Sequence, residues 1–517
     1  FNSDQRMITR VGDKVSYWPQ WKTVNKMSLH TNFPHLQEIP RILLMGSLTG
    51  IDCTRKLTLT RSHSGYGLIW VRIVGSVSNK LKTGLIGVAM ATSLLASAPA
   101  QAETLEDALR FLLLNHPQIK AGKNQVASAD EGINVARAGF LPVISVSGDS
   151  GYEHIDNPAR RAVKEGDSAF GRQRETANLN ITQNIFNGFA TTNTTEAARL
   201  NKDASQHNLN LTRQLVSFEG ITSYIDVLRQ QRLIQLALQN EGNVQTQLEL
   251  EDERVQQGAG VAVEVLQAKS RLQVAKERRV AFEGSAKDSF SRYNQVFQRF
   301  PEPAAMSDPR PPIEQLPQTV DEAVNIALRE NPAVGGAIVV TDLAATQRKT
   351  ARADYYPTVD LVLDSNYERH SNATIGTRRD YSFLVQANWS LYNGGATRAA
   401  VAQSAFDYAA SRNSEINVNR QVEQSVRLAW QALETSRERL VLLENAVNIA
   451  TEVFKARQQL EQAGKETGLV VLDSAREIFN AQINLVAASY DMRTAVYQLL
   501  LSMGRLDRAS LGITTEG

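Results

Sequence analysis

Two kinds of hydrophobic pattern alternate along this chain. The first has a period of two. In TANLNITQNIFNG, Ala177, Leu179, Ile181 and Ile185 alternate with Asn178, Asn180, Thr182 and Asn184. SFLVQANWSLYNG repeats the pattern with Phe383, Val385, Ala387, Trp389 and Leu391 against Gln386, Asn388 and Ser390. TVDLVLDSNY does so with Val359, Leu361 and Leu363 against Asp360 and Asp364. Successive side chains of a strand point to opposite faces, so each segment predicts a strand with one apolar and one polar face. At roughly a dozen residues such strands reach across a bilayer when tilted. A soluble sandwich carries the same alternation.

The second pattern is helical. Val422, Val426, Ala429, Leu433, Ser436, Leu440, Leu443, Val447, Ala450 and Phe454 follow one another at spacings of four and three. Four heptads of this kind predict a coiled coil rather than a globular core. Leu211, Leu215, Phe218, Thr222 and Ile225 give a less regular version earlier on. No proline interrupts the stretch from Ala190 to Gln257, which as one helix extends roughly 100 Å. Gly258 and Gly260, and later Gly464 and Gly468, are expected to break the long helices. Return helices are expected at about 263–298 and 470–502.

Each pattern occurs twice because the sequence is duplicated. TLEDALRFLLLNHPQI from Thr104 returns as TVDEAVNIALRENPAV from Thr319, 215 residues on. ARAGFLPVISVSGDSGYE (136–153) returns as ARADYYPTVDLVLDSNYE (351–368), with eight of eighteen positions identical. IFNGFAT at Ile185 matches LYNGGAT at Leu391, and QQGAGVAVEVLQ at Gln256 matches QAGKETGLVVLD at Gln462, both 206 apart. Four landmarks in the same order make the repeat specific. The nine-residue difference between the offsets falls after Glu153 and Glu368, which marks a loop between paired strands. Long polar connectors there suit the outer face of a membrane barrel. Pro142 and Pro357 mark the strand starts, since proline disfavours helix in the residue before it. Asn187-Gly188 and Asn393-Gly394 mark the strand exits, glycine allowing the turn into a helix.

The organisation expected is therefore an extension at 1–75 without clear period, a signal peptide at 76–102, repeat one at 103–300, a proline-rich join at 301–318, repeat two at 319–503 and a tail at 504–517. The strand pairs fall at about 142–188 and 357–394, and the long helices at 190–298 and 396–502. The signal reading rests on Lys80 and Lys82, an apolar run from Leu85 to Ala96, and Ala100-Gln101-Ala102 at the cleavage spacing. It places the mature start near Glu103; a buried helix is the other reading of that run.

Charge and chemistry remove alternatives. The net charge is +2, with +8 on residues 1–102 and therefore −6 on the rest, so nucleic acid is not an expected partner. Cys53 is the single cysteine. His116, His154, His207 and His370 show no metal spacing, and there is no phosphate loop or nucleophile motif. No metal, cofactor or enzymatic activity is expected.

Four strands cannot close a barrel, and lipid tolerates no open sheet edge. The membrane reading therefore requires an oligomer. Two chains give eight strands, whose interior fills with side chains; three give twelve and a polar lumen.

With these features in hand, residues 103–508 resemble the TolC family of outer-membrane channel proteins. The signal peptide, the TLEDAL and TVDEAV starts, the prolines before strands, the NG before each long helix and GLVVLDSAREIFNAQ carry the resemblance. LLLSMGRLDRASLG resembles members serving type I secretion. The resemblance implies a mainly α fold: a homotrimer with a twelve-stranded transmembrane β-barrel, four strands per chain, continued by an α-helical coiled-coil barrel. It also implies outer-membrane lipid around the barrel, a periplasmic adaptor and an inner-membrane ABC or proton-driven transporter as partners, and a gate at the periplasmic tip. Asp473 matches an acidic constriction position, and Glu264 an acidic position of the closed-tip latch. Val470 stands where a further aspartate is common. Glu461 and Glu466 stand where some members have latching Tyr and Arg, so a latch cannot be transferred unchanged. Two other readings share parts of the pattern: multidrug efflux on the same fold, and an adhesin anchored by its strands.

Overall fold

The computed structural model describes residues 103–156, 169–258, 260–372 and 374–513. The expected extension at 1–75 and signal peptide at 76–102 lie outside them.

Both repeats begin the same way. Thr104 and Thr319 cap α1 (Leu105–Asn115) and α5 (Val320–Glu330), each hydroxyl accepting from a backbone N–H three residues on. In α1 the residues Leu105, Ala108, Leu109, Leu112 and Leu113 form one buried stripe. Pro117 and Pro332 then open α2 (Pro117–Arg137) and α6 (Pro332–Ala353), where a missing N–H costs nothing.

Pro142 and Pro357 stand directly before β1 (Val143–Asp156) and β3 (Thr358–Arg369). With β2 (Ala169–Asn187) and β4 (Thr377–Asn388) these form one antiparallel sheet in the order β1-β2-β3-β4. The central pairing joins the two repeats, with Ile181 opposite Leu363 and a bulge between Asn184 and Phe186. The register puts Ile144, Val146, Leu179, Ile181, Leu361, Leu363, Phe383 and Val385 on one face. Opposite them lie Asp149, Asn178, Asn180, Asp360, Asp364 and Gln386.

The polar face satisfies itself across strands. Asn178 and Asn180 donate to Asp364 Oδ2 at 3.0 and 3.4 Å, Asn184 to Asp360 at 2.7 Å, and Thr176 to Asp149 at 2.8 Å. The apolar face is bare: Val146 is 77% and Val385 70% exposed.

One strand is shorter than its sequence predicts. β4 stops at Asn388, opposite Thr358, the first residue of β3, so Trp389 and Leu391 lie beyond it and Asn393-Gly394 does not adjoin its end. A strand lasts only as long as its partner, and β4 is an edge with no second neighbour among the described residues.

Two hairpins of long helices follow: α3 (Ala190–Gln256) with α4 (Ala262–Phe297), and α7 (Ala396–Gln462) with α8 (Gly468–Met503). The long members have 67 residues each and the return members 36 each, so the duplication is kept to the residue. Every residue of the α7 heptad series is buried or half-buried. The α3 series is less accurate, since Leu215 is 50% exposed while Leu209, Val216, Ile221, Tyr224 and Val227 are buried. α3 is packed by α1, α2, α4, α6 and α8, and a helix covered on several sides buries more than one stripe.

The main core sits mid-way along these helices, where α1, α5, α3 and the end of α8 meet around Leu109, Leu112, Ile221, Tyr224, Phe297, Leu499, Leu500 and Met503. Residues of the join pair with the first described residue: Ser307 N–H donates to the Glu103 carbonyl at 3.1 Å, and Glu103 N–H to that of Ala305 at 2.8 Å.

Candidate functional site: the helical tips and the open sheet

The turns at the far ends of the hairpins hold most of the candidate residues. Gly258 and Gly464 have φ of +77° and +72°, the left-handed geometry that ends α3 and α7. At Gly260 an added Cβ would lie 2.9 Å from the Val255 backbone nitrogen, so the turn leaves no room for a side chain. Gly468 corrects its sequence reading: it does not break a helix but begins α8, and it is small because Glu251 lies against it. A Cβ there would fall 1.7 Å from Glu251 Oε1.

That contact belongs to a buried polar cluster joining the two repeats. Glu251 of α3 and Glu461 of α7 are only 2% and 7% exposed. Arg254 Nη1 lies 2.9 Å from Glu251 Oε1 and 2.8 Å from Glu461 Oε1. Gln247 Nε2 donates to the same two oxygens at 3.3 and 2.9 Å. One guanidinium and one carboxamide thus hold two carboxylates whose burial would otherwise be costly. Glu461 is the candidate from sequence that enters this cluster. Glu466 Oε2 is buried without a hydrogen-bond partner, and Glu264, in the first turn of α4, has no ion-pair partner among the described residues.

Asp473 is half-exposed on the second turn of α8. Arg271 Nη1 of α4 stands 2.8 Å from its Oδ1, off the line of any N–H, so the contact is an ion pair without a directed hydrogen bond. Arg476 Nη2 is 3.5 Å away. Asp473, matched from sequence to an acidic constriction position, is flanked by two cations. Beside it Arg271, Arg278 and Arg476 line a cavity of about 120 Å³ floored by Val244, Leu472 and Phe479.

Sequence reasoning missed Glu251, Arg254, Gln247 and Arg271. The repeat could not reveal them, because 206 residues after Glu251 and Arg254 stand Arg457 and Leu460. The cluster is specific to one of the two positions that the duplication makes equivalent.

Farther along the helices Asp226 accepts from Arg292 at 2.6 Å and pairs with Arg229 at 2.5 Å. Burial pushes its carboxyl up, but the two guanidinium groups outweigh this and hold it below the usual range.

The strand exits perform a second task. Asn187 Nδ2 donates to Thr191 Oγ1 at 2.6 Å while its Oδ1 accepts from Thr191 N–H at 3.3 Å. Asn393 and Thr397 repeat this at 2.8 and 3.3 Å. Each asparagine therefore caps the long helix that follows. Gly188 (φ +63°) is also pressed against α6, where a Cβ would lie 2.5 Å from the Ala353 carbonyl oxygen. Gly394 (φ +69°) has nothing within 4 Å of that position.

This last asymmetry is general. α6 packs on the long helix α7 of its own repeat and on α3 of the other, whereas α2, its counterpart, meets one long helix among the described residues, α3. β2 pairs with β3, but among the described residues β4 has no strand equivalent to β3 on its other side. Contacts from repeat one forward to repeat two are made; those from repeat two forward to a repeat one are open.

The outer membrane efflux protein family model matches residues 108–293 and 323–505, one segment per repeat. The chain belongs to the outer membrane efflux protein family. This family consists of channel proteins of the outer membrane with a periplasmic helical domain. As an efflux-family chain it is 24% identical over 427 residues to the outer membrane efflux protein BepC of Brucella suis, covering 82% of this chain and 91% of that protein. It is 24% identical to the outer membrane protein TolC of Vibrio cholerae, over 79% of this chain and 92% of that one. To the proteases secretion protein PrtF of Dickeya chrysanthemi it is 22% identical, over 81% and 91%. Its fold is similar to the crystal structure of a membrane protein from Pseudomonas aeruginosa, with a TM-score of 0.68, 18% identity, and coverage of 77% and 93%.

Proposed function

We propose that three copies of the chain pool their strands in a twelve-stranded barrel, continued by the helical hairpins into the periplasm, and serve as the outer-membrane exit duct of type I protein secretion. The observation that carries this reading is the sheet. It has one face of satisfied Asn, Asp and Thr, one bare apolar face, and two open edges whose missing neighbours are its own counterparts. Such a sheet suits water on one side and lipid on the other, and a wet lumen needs about twelve strands rather than eight. The duct docks on a periplasmic adaptor and an inner-membrane ABC transporter, which supplies the energy; the duct itself does no chemistry.

Gating is assigned to the tips. The cluster of Glu251, Arg254, Gln247 and Glu461 ties the α7–α8 hairpin to the α3–α4 hairpin, and Asp473 with its arginines sets the local charge beside the turn. The LLLSMGRLDRASLG end and the similarity to PrtF favour secretion. The similarity to BepC favours a second reading, small-molecule efflux with a proton-driven transporter, since the partner selects the cargo of such a duct. Deleting the gene separates them: loss of an extracellular protein with unchanged drug sensitivity supports secretion, and the converse supports efflux. An adhesin is disfavoured, because helices lead both into and out of each strand pair.

A further inference from the structure

We infer that a cavity between α2, α3, the start of α6 and the segment after α8 is a binding site for a small organic oxyanion, best matched by a phosphate monoester. The cavity has a volume of about 630 Å³. Its charged lining does not neutralise itself. Glu330 accepts from Arg505 Nε at 2.6 Å and Nη2 at 2.7 Å and is committed to that pair. Asp507 Oδ1 accepts from the Ser510 N–H at 2.9 Å and closes its own turn. Lys123, Arg213 and Arg508 then remain, with no carboxylate in ion-pair distance among the described residues. With Asp507 counted and Glu330 neutralised by Arg505 at the rim, the site carries +2.

The arrangement is unusual for a structural surface. Arg213 is half-buried in the middle of α3, with its Nη1 donating to Asn210 Oδ1 at 3.0 Å. Arg508 lines the same cavity; burial lowers the Arg213 pKa, and the neighbouring charge of Arg508 lowers it further. Two guanidinium forks and an ammonium suit the dispersed charge of a phosphate dianion. The volume exceeds a lone phosphate and falls within the range of small-molecule sites, so the anion has room for a sugar-sized body. A lipid headgroup is the poorer source. Asn210 lies twenty residues into α3 from its strand-side end, about 30 Å along the axis, so a soluble periplasmic compound reaches the cavity more readily.

Occupancy has a structural consequence. Arg508 belongs to the segment that folds back after α8, where Leu506, Leu511 and Ile513 are buried. An anion shared between Arg213 and Arg508 would pin that segment to α3.

The test uses the detergent-solubilised full protein, with glucose 6-phosphate as probe and glucose and sodium sulfate as controls. Calorimetry is expected to show saturable binding of the phosphate ester, absent with glucose and at least tenfold weaker with sulfate. Arg508→Gln, an exposed position, should weaken it at least tenfold without changing the thermal midpoint of the free protein; Arg213→Gln should do the same if it folds. Hydrogen exchange over 504–513 should slow with probe in the parent but not in Arg508→Gln. Displacement of the ester by phosphatidic-acid vesicles would overturn the choice of a soluble source. No saturable heat, equal heat from sulfate, or binding unchanged in Arg508→Gln would overturn the site itself. These results are independent of the export assay, so failure of one does not imply failure of the other.

Discussion

Arg254 is the residue on which the tip cluster turns. Removing it leaves Glu251 and Glu461 buried with Gln247 as their one shared donor. Breaking a buried pair costs roughly 3–5 kcal/mol, and Arg254 is partly solvated, so Arg254→Gln is expected to weaken the tip by about 2–3 kcal/mol. In planar bilayers that variant should open more often to a higher conductance than the parent, and an unchanged conductance would detach the cluster from gating. Asp473 gives an expectation with a definite sign. With Arg271 and Arg476 beside it the local charge is +1 per chain, and Asp473→Ala raises it to +2. Reversal potentials should shift toward anion preference. Asp226 gives a pH dependence. Its carboxyl is depressed by Arg292 and Arg229, so it contributes stability above the ordinary carboxylate range, and this is lost as pH falls through its folded value. Acid unfolding of Asp226→Asn, followed by circular dichroism, should lack that part of the pH dependence.

At the scale of elements the repeat predicts a register that one chain does not contain. β2 maps onto β4 by adding 206, and β3 maps onto β1 by subtracting 215. The observed pair Gln183 and Leu361 therefore becomes Trp389 opposite Val146 of a second copy. Asn187 and Thr358 likewise become Asn393 opposite Val143, which would extend β4 to the glycine turn that it fails to reach alone. The transposition sets Trp389 against Val146 and, from Phe186 and Val359, Tyr392 against Ile144 on the apolar face, which a one-residue slip would undo. With the Val146→Cys and Trp389→Cys changes in one chain, oxidation should give covalent trimers on denaturing gels. Each change alone should leave monomers, and cross-linking no better than that of a pair shifted by one residue would refute the register. The helices show the opposite relation between pattern and structure. The α7 seam was legible because few neighbours touch α7, whereas α3 has five packing partners and its simple stripe failed at Leu215.

For the whole molecule the open contacts set the expectation. A chain with a bare apolar sheet face and unpaired edges is expected to need detergent for extraction. Native mass spectrometry should then give three chains per particle; a detergent-free monomer would contradict the barrel.

Local rules were enough to determine most of the elements from the sequence: proline at the strand starts, asparagine-glycine before the long helices, two-residue and heptad periods, and a duplication with matching landmarks. These features depend on residues within a few positions of one another, or on comparing the chain with itself. Only the tertiary structure decided which polar groups meet. Arg254 finds Glu461 across 207 positions, Arg271 finds Asp473 across 202, and Arg213 faces Arg508 across 295. No period encodes such pairs, because they arise where one repeat packs against the other and the residues there have diverged. The length of β4 was hidden for a related reason: an edge strand ends where its partner ends, and β3, the partner of β4 among the described residues, begins at Thr358 opposite Asn388.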